Sequence, residues 1–219
     1  MKYSEIFFDL DGTLTDPYEG ITKSVVYALK KFGIEVNSRQ ELKCFIGPPL
    51  HESFMKYYGM TDKDADKAIV YYREYFSVEG LFENTVYRGI PALLCQLCDS
   101  GARLSVATSK PEIFAKRILD KFGLTKYFAF IAGSELSGQR VNKDEVIEYA
   151  ISNLNISDRS SVIMVGDRLH DIAGAKKTQI DSAGVLWGYG SRKEHEEAGA
   201  DYIAEDICEL KQILLGEQK

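Results

Sequence analysis

Asp9 and Asp11 stand one residue apart, directly after the apolar segment Ile6-Phe7-Phe8 and directly before Gly12-Thr13. In extended backbone, positions i and i+2 project to the same side. Two carboxylates held that close repel, so the pair calls for a cation, or for a proton on one member. If the apolar segment ends a buried strand, both carboxylates sit at its carboxyl end, where open α/β sheets take their ligands. Gly12 lets the chain turn away sharply, having no Cβ to clash. A surface turn rich in Asp and Gly is the plainer reading of this stretch alone, so the other parts of a site must come from elsewhere.

Three further places offer them. Thr108 closes the apolar residues 104–107 and precedes a helical segment. A hydroxyl and backbone N–H groups there make a phosphate cradle, and an ordinary Thr/Ser helix cap has the same geometry. Lys143 opens another helical segment, in Val141-Asn142-Lys143-Asp144. A cation at a helix start opposes the helix dipole; a phosphate bound beside carboxylates would account for it. Arg140 competes for that role, and a solvated surface lysine is the default for any isolated Lys. Finally, Val162-Ile163-Met164-Val165 runs into Gly166-Asp167-Arg168-Leu169-His170-Asp171. Asp167 adds a carboxylate oxygen of the kind magnesium prefers. Asp171 also suits a helix cap, and His170 reads as structural or exposed.

These residues need a scaffold. Ile21, Val25, Ala28, Leu29 and Phe32 recur at helical spacing over residues 20–32, and Gly33 closes that helix. Ser38 with Glu41 has the form of a capping box for a short helix. Pro48-Pro49 interrupts it. A helix to Tyr58 follows, ended by Gly59, and Thr61 with Asp64 caps another over residues 62–78. Residues 17–82 hold no convincing strand. Beyond them, strands at 104–108, 128–131, 162–165, 183–186 and 202–203 alternate with helices ending near Gly101 and spanning 111–122, 142–154, 171–178 and 206–215. That alternation predicts an α/β fold, a parallel sheet covered on both faces.

Composition narrows the function classes. The chain has 219 residues, 45% of them hydrophobic, enough for a sizeable core. A net charge of −6, without a run of five like charges, disfavours a nucleic-acid polymer as partner. No apolar run approaches the roughly 18 residues of a membrane span, and the first residues lead straight into a strand. A cytoplasmic protein is expected. Cys95 and Cys98 form a C-x-x-C without a second pair or a nearby His, so reduced cysteines on a buried helical face are expected.

Asp9-Leu10-Asp11-Gly12-Thr13-Leu14-Thr15-Asp16 closely resembles the first motif of the haloacid dehalogenase-like (HAD) superfamily, most of whose members are Mg²⁺-dependent phosphatases with an aspartate nucleophile. Thr108, Lys143 and the Asp167–Asp171 pair fall where that superfamily carries its other motifs. The resemblance implies a Rossmann-like core of residues 1–16 and 83–219, with a helical cap domain, residues 17–82, that moves about linkers near Asp16 and residues 82–87. It implies Asp9 as nucleophile and Asp11 as general acid and base, with Thr108 and Lys143 as catalytic partners. Leu10, Asp11, Thr108, Ser109 and Lys143 would surround the phosphate. Mg²⁺ would rest on Asp9, the Asp11 carbonyl and Asp167, with Asp171 supporting them from behind. Lys143-Asp144 departs from the Lys-Pro that related phosphatases often show.

Ile46-Gly47-Pro48-Pro49-Leu50-His51 resembles the specificity loop of phosphoglycolate-phosphatase-like members, so Gly47 and Pro48 are candidate substrate contacts. The cap tyrosines, among them Tyr57, Tyr58, Tyr71, Tyr72 and Tyr75, suit packing better than nucleobase stacking. A monomer or homodimer acting on a small-molecule phosphate ester, phosphoglycolate or a 5′-nucleotide, is the expectation. The alternatives are inorganic pyrophosphatase, a phosphomutase of the β-phosphoglucomutase type and a non-catalytic phosphate-binding protein. Asp16-Pro17-Tyr18-Glu19-Gly20 stands where such mutases tend to carry a His-Lys loop, and Asp11 argues against a dehalogenase.

Overall fold

The computed structural model describes residues 2–216. The chain divides into two compact units, one of residues 16–85 and one of the segments before and after it. In chain order the elements are β1 (Glu5–Phe8), β2 (Thr15–Asp16), α1 (Tyr18–Lys30), α2 (Leu50–Tyr58), α3 (Asp62–Phe76), β3 (Thr85–Val86), α4 (Ile90–Asp99), β4 (Arg103–Pro111), α5 (Glu112–Lys121) and β5 (Phe128–Ser134). They continue with α6 (Lys143–Asn153), β6 (Val162–Gly166), α7 (Leu169–Lys177), β7 (Asp181–Val185), α8 (Arg192–Ala198), β8 (Tyr202–Ala204) and α9 (Ile207–Leu215). Where the chain leaves and re-enters the two-segment unit, β2 and β3 pair with each other.

Among the described residues, the larger unit holds a six-stranded sheet in the order β5-β4-β1-β6-β7-β8, parallel throughout. Every residue of β1 and β6 is buried, with no alternation. That is the pattern of a parallel sheet covered on both faces. Phe7 and Met164 pack with Val146, Ile147 and Ile151 of α6 in one cluster. Each such side chain contributes about 1.5–3 kcal/mol over leaving it in water.

Register sets up the site. Phe8 lies opposite both Val106 and Val165, so Asp9, Ala107 and Gly166 come off three adjacent strands at one level. The Asp9 N–H donates to the Val165 carbonyl at 2.8 Å. From β1 the chain builds outward through β4 and β5, then returns to place β6, β7 and β8 on the other side. β1 therefore borders the switch point at which such sheets bind ligands.

The helical unit is held by α1, α2 and α3. Thr61 Oγ1 accepts from the Asp64 N–H at 3.2 Å, and Gly59 ends α2 in left-handed backbone, as expected. Ser38 also caps, but through the Gln40 N–H, and what it opens is a 3₁₀ helix, Arg39–Phe45. Its seven residues are long for 3₁₀ geometry, and Pro48-Pro49 follows directly after Ile46-Gly47.

Three other expectations change. β4 continues past Thr108 to Pro111, and β5 runs to Ser134. A helix not anticipated, α8, buries His195. Cys95 is exposed and Cys98 half-buried, because the inward stripe of α4 is Ile90, Leu93, Leu94 and Leu97. The cysteines fall one position off that stripe, about 100° around the helix. All four cysteines are free thiols.

Candidate active site

Asp9 and Asp11 are both buried where the chain leaves β1. Each meets a lysine from a different element. Lys143, the first residue of α6, places Nζ 2.9 Å from Asp9 Oδ1, 2.7 Å from Asp171 Oδ1 and 3.0 Å from the Ala107 carbonyl. Those three partners account for all three ammonium protons. Burial works against the charge of Lys143, but the carboxylates of Asp171 and Asp9 outweigh it and hold its pKa above the ordinary lysine value. Lys143 lies beside Asp9 and Asp171 although Asp144 follows it in place of Pro. Asp144 turns to Lys177, with Oδ1 3.2 Å from its Nζ. Arg140 does not compete: its Nε donates to the Gly133 carbonyl and its guanidinium lies 3.7 Å from the Tyr149 ring centroid.

The second lysine, Lys110, did not stand out in the sequence. Its Nζ is 2.6 Å from Asp11 Oδ2. Burial pushes Asp11 above the usual carboxylate range, Lys110 pulls it part of the way back, and Asp9 adds to the rise. Thr108 is buried beside them, and its Oγ1 accepts from the Lys110 N–H at 3.3 Å. Ser109 is half-buried and Leu10 fully buried.

From β6 come Asp167 and, at the start of α7, Asp171. Asp171 Oδ2 caps α7 by accepting from the Arg168 N–H, while Oδ1 meets Lys143, so one side chain both caps the helix and joins the carboxylate cluster. Burial, Asp171 and Asp9 raise Asp167 well above the usual carboxylate range. Burial likewise pushes Asp171 up to about 6, against the pull of Lys143. His170 is absent from this group.

Asp9, Asp167 and Asp171 each present one carboxylate oxygen, all within 4.8 Å of one another. Asp167 Oδ1 is buried without a hydrogen-bond partner. Four carboxylates, Asp9, Asp11, Asp167 and Asp171, face two lysines, leaving two formal negative charges. The oxygen donors, the unpartnered Asp167 oxygen and this imbalance fit a divalent hard cation. The Asp11 carboxylate, engaged by Lys110, stands outside the three-aspartate group.

A loop after β7 closes the site from its other side and was not singled out in the sequence. The Tyr189 N–H donates to Asp167 Oδ2 at 2.7 Å, and Trp187 Nε1 donates to the Thr13 carbonyl at 3.0 Å. Gly12 has φ of +83°, and a Cβ at Gly12 or at Gly188 would overlap the Asp167 carboxylate. Its sequence signal was the glycine spacing of Trp187-Gly188-Tyr189-Gly190. Gly47 and Pro48 belong to the helical unit, between the 3₁₀ helix and α2.

A model of the haloacid dehalogenase-like hydrolases matches residues 6–185. The chain belongs to that family. It is an enzyme of the HAD phosphatase kind. It is 43% identical to a 5′-nucleotidase of Pseudomonas aeruginosa over 98% of this chain and 96% of the relative. It is 39% identical to the tyrosine-protein kinase PtkA of Mycobacterium tuberculosis, over 95% of this chain and 72% of that protein. The crystal structure of a predicted phosphatase from Clostridium acetobutylicum matches with a TM-score of 0.96 and 50% identity, over 99% of this chain and 100% of the other. No helix among the described residues is long and apolar enough to cross a membrane.

Proposed function

We propose that this HAD enzyme is a Mg²⁺-dependent phosphatase that hydrolyses a small-molecule phosphate monoester of the 5′-nucleotide type through an aspartyl-phosphate on Asp9. The observation that carries the reading is Asp9 itself: a buried carboxylate at the end of β1, 2.9 Å from a fully engaged Lys143 and grouped with Asp167.

In the first step an Asp9 oxygen bonds to phosphorus as the bond to the leaving alkoxide breaks in line. Asp11 gives that oxygen its proton. In the second step water attacks the same phosphorus, its proton passes to Asp11, and the Asp9–phosphorus bond breaks. The net change is ester plus water to alcohol plus inorganic phosphate. Thr108, Ser109 and backbone N–H groups at Leu10 and Asp11 hold the equatorial oxygens. Lys143 offsets the charge of Asp9, and Asp171 fixes Lys143. Asp9, Asp167 and the Asp11 carbonyl would hold Mg²⁺, which when bound neutralises and orients the transferring group.

The 43% identity to a 5′-nucleotidase supports a nucleotide substrate over phosphoglycolate. Gly47 and Pro48 are the proposed selectors, and the four free thiols suit a cytoplasmic enzyme.

Phosphate release with Mg²⁺ across 5′-nucleotides, phosphoglycolate, pyrophosphate and sugar phosphates tests this. The expected result is 5′-nucleotides in the lead, and a loss of about 10⁴-fold or more in Asp9→Asn with the native circular dichroism spectrum retained. Near wild-type turnover in that variant would overturn Asp9 as nucleophile. Phosphoglycolate in the lead would overturn the substrate, and conversion of glucose 1-phosphate without phosphate release would point to a mutase.

A further inference from the structure

We propose that Lys110 is a positioning residue for Asp11: it engages one oxygen of that carboxylate, so that the other is the oxygen that carries protons to and from the reacting group. The proposal rests on the phosphatase reading above.

Lys110 Nζ lies 2.6 Å from Asp11 Oδ2, and the two side chains are only 6% and 10% exposed. Asp11 Oδ1 is buried without a hydrogen-bond partner. A carboxylate free in solution can offer a proton from either oxygen. Here a proton on Oδ2 would stand against an ammonium, while Oδ1 is open to accept one. The pair therefore chooses the oxygen. An exposed pair would lack this grip, because water competes for both groups.

The placement comes from the extension of β4. The strand carries on through Lys110 to Pro111, and the Lys110 N–H is held by Thr108 Oγ1. One three-residue stretch thus sets both the hydroxyl proposed to face the phosphate and the ammonium that holds the acid. Lys143 cannot take over, since Asp9, Asp171 and the Ala107 carbonyl use its three protons.

The consequence is a dependence on leaving group. An alkoxide must be protonated as it departs, whereas p-nitrophenolate departs without a proton. kcat/KM reports events up to transfer of the phosphoryl group to Asp9. In Lys110→Met, kcat/KM for the alkyl ester that the wild type hydrolyses best should fall about 10²-fold or more, the scale of general-acid catalysis. That for p-nitrophenyl phosphate should fall less than ~10-fold on the same scale. With the aryl ester, one equivalent of p-nitrophenolate should appear in a burst, because attack by water still needs Asp11. Lys110→Arg, which keeps the charge in a different geometry, should recover part of the alkyl-ester rate.

Equal losses on both esters, with no burst, would overturn the proposal, as would full alkyl-ester activity in Lys110→Met. If Lys110→Met does not fold, Lys110→Gln is read by the same alkyl-to-aryl ratio. A wild type that releases no phosphate from any ester would contradict the phosphatase reading. A wild type that releases phosphate, with an unchanged ratio in the variants, would overturn only the role of Lys110.

Discussion

In the sheet-based unit, Lys110 and Lys143 lie buried against equally enclosed aspartates. In the helical unit, Arg39, Lys23 and Lys31 reach Glu19, Glu83 and Glu74 with 36–43% of each basic side chain exposed. The helical unit also brings His51 Nε2 to 3.3 and 3.5 Å from Asp62 and Asp66, but those carboxylates are largely in water. Its interior is aromatic instead. Phe45 meets Phe54 at 5.0 Å, Tyr72 stacks on Phe76 at 5.2 Å, and Tyr71 and Tyr75 pair with Phe32 and Tyr27. Similar residue types are thus used differently. A buried charge is costly unless paired, so a cluster of them marks the candidate site. Exposed pairs carry no such message.

The largest effect should come from Lys143. Lys143→Met leaves Asp9 and Asp171 buried and uncompensated, and should cost about 3–5 kcal/mol of stability in urea unfolding. Gly188→Ala drives a Cβ into the Asp167 carboxylate, and should weaken Mg²⁺ binding about 10–100-fold, read from thermal shift against Mg²⁺ concentration.

A smaller effect concerns His195, buried in the same unit with Nε2 3.2 Å from the Val185 carbonyl and Nδ1 unpartnered. Burial lowers its pKa; Arg168 and Arg192 add to this, while Val185 and Glu194 oppose it. The unfolded chain therefore takes up the proton first. Stability should hold above about pH 6.5 and decline as pH falls below it, on the order of 1 kcal/mol per unit of pKa difference. His195→Gln should flatten the urea midpoint over that range. The smallest effect belongs to Arg39→Ala, expected within about 1 kcal/mol of wild type. A loss there equal to that of Lys143→Met would break the comparison between the units.

The site was readable wherever a functional residue also ends a strand or opens a helix. Asp9 and Asp167 stand just past strand ends, Lys143 and Asp171 lie in the first turns of helices, and Thr108 closes the apolar part of β4, although the strand itself runs on to Pro111. The register of β1, β4 and β6 brings Asp9, Ala107 and Gly166 to one level. Lys110 was hidden because β4 was expected to stop at Thr108; a lysine in the turn beyond a strand has no reason to be buried. The loop around Trp187 acts mainly through backbone groups and missing Cβ atoms, which carry little hydropathy signal. Helix α8 has a single fully buried side chain, so no apolar period announces it. Its caps were there to be read: Ser191 accepts from the Glu194 N–H, and Gly199 ends the helix. The tyrosines of the helical unit follow the packing reading, with Tyr57 the more exposed among them.

The central claim is that phosphate rests covalently on Asp9 between the two steps. Acid-quenching the enzyme within one turnover of a ³²P-labelled substrate, then mapping the label, tests it directly. The account predicts an acid-stable, hydroxylamine-sensitive phosphate on the peptide carrying Asp9, absent from Asp9→Asn. Full release of inorganic phosphate with no labelled protein at any quench time would contradict it.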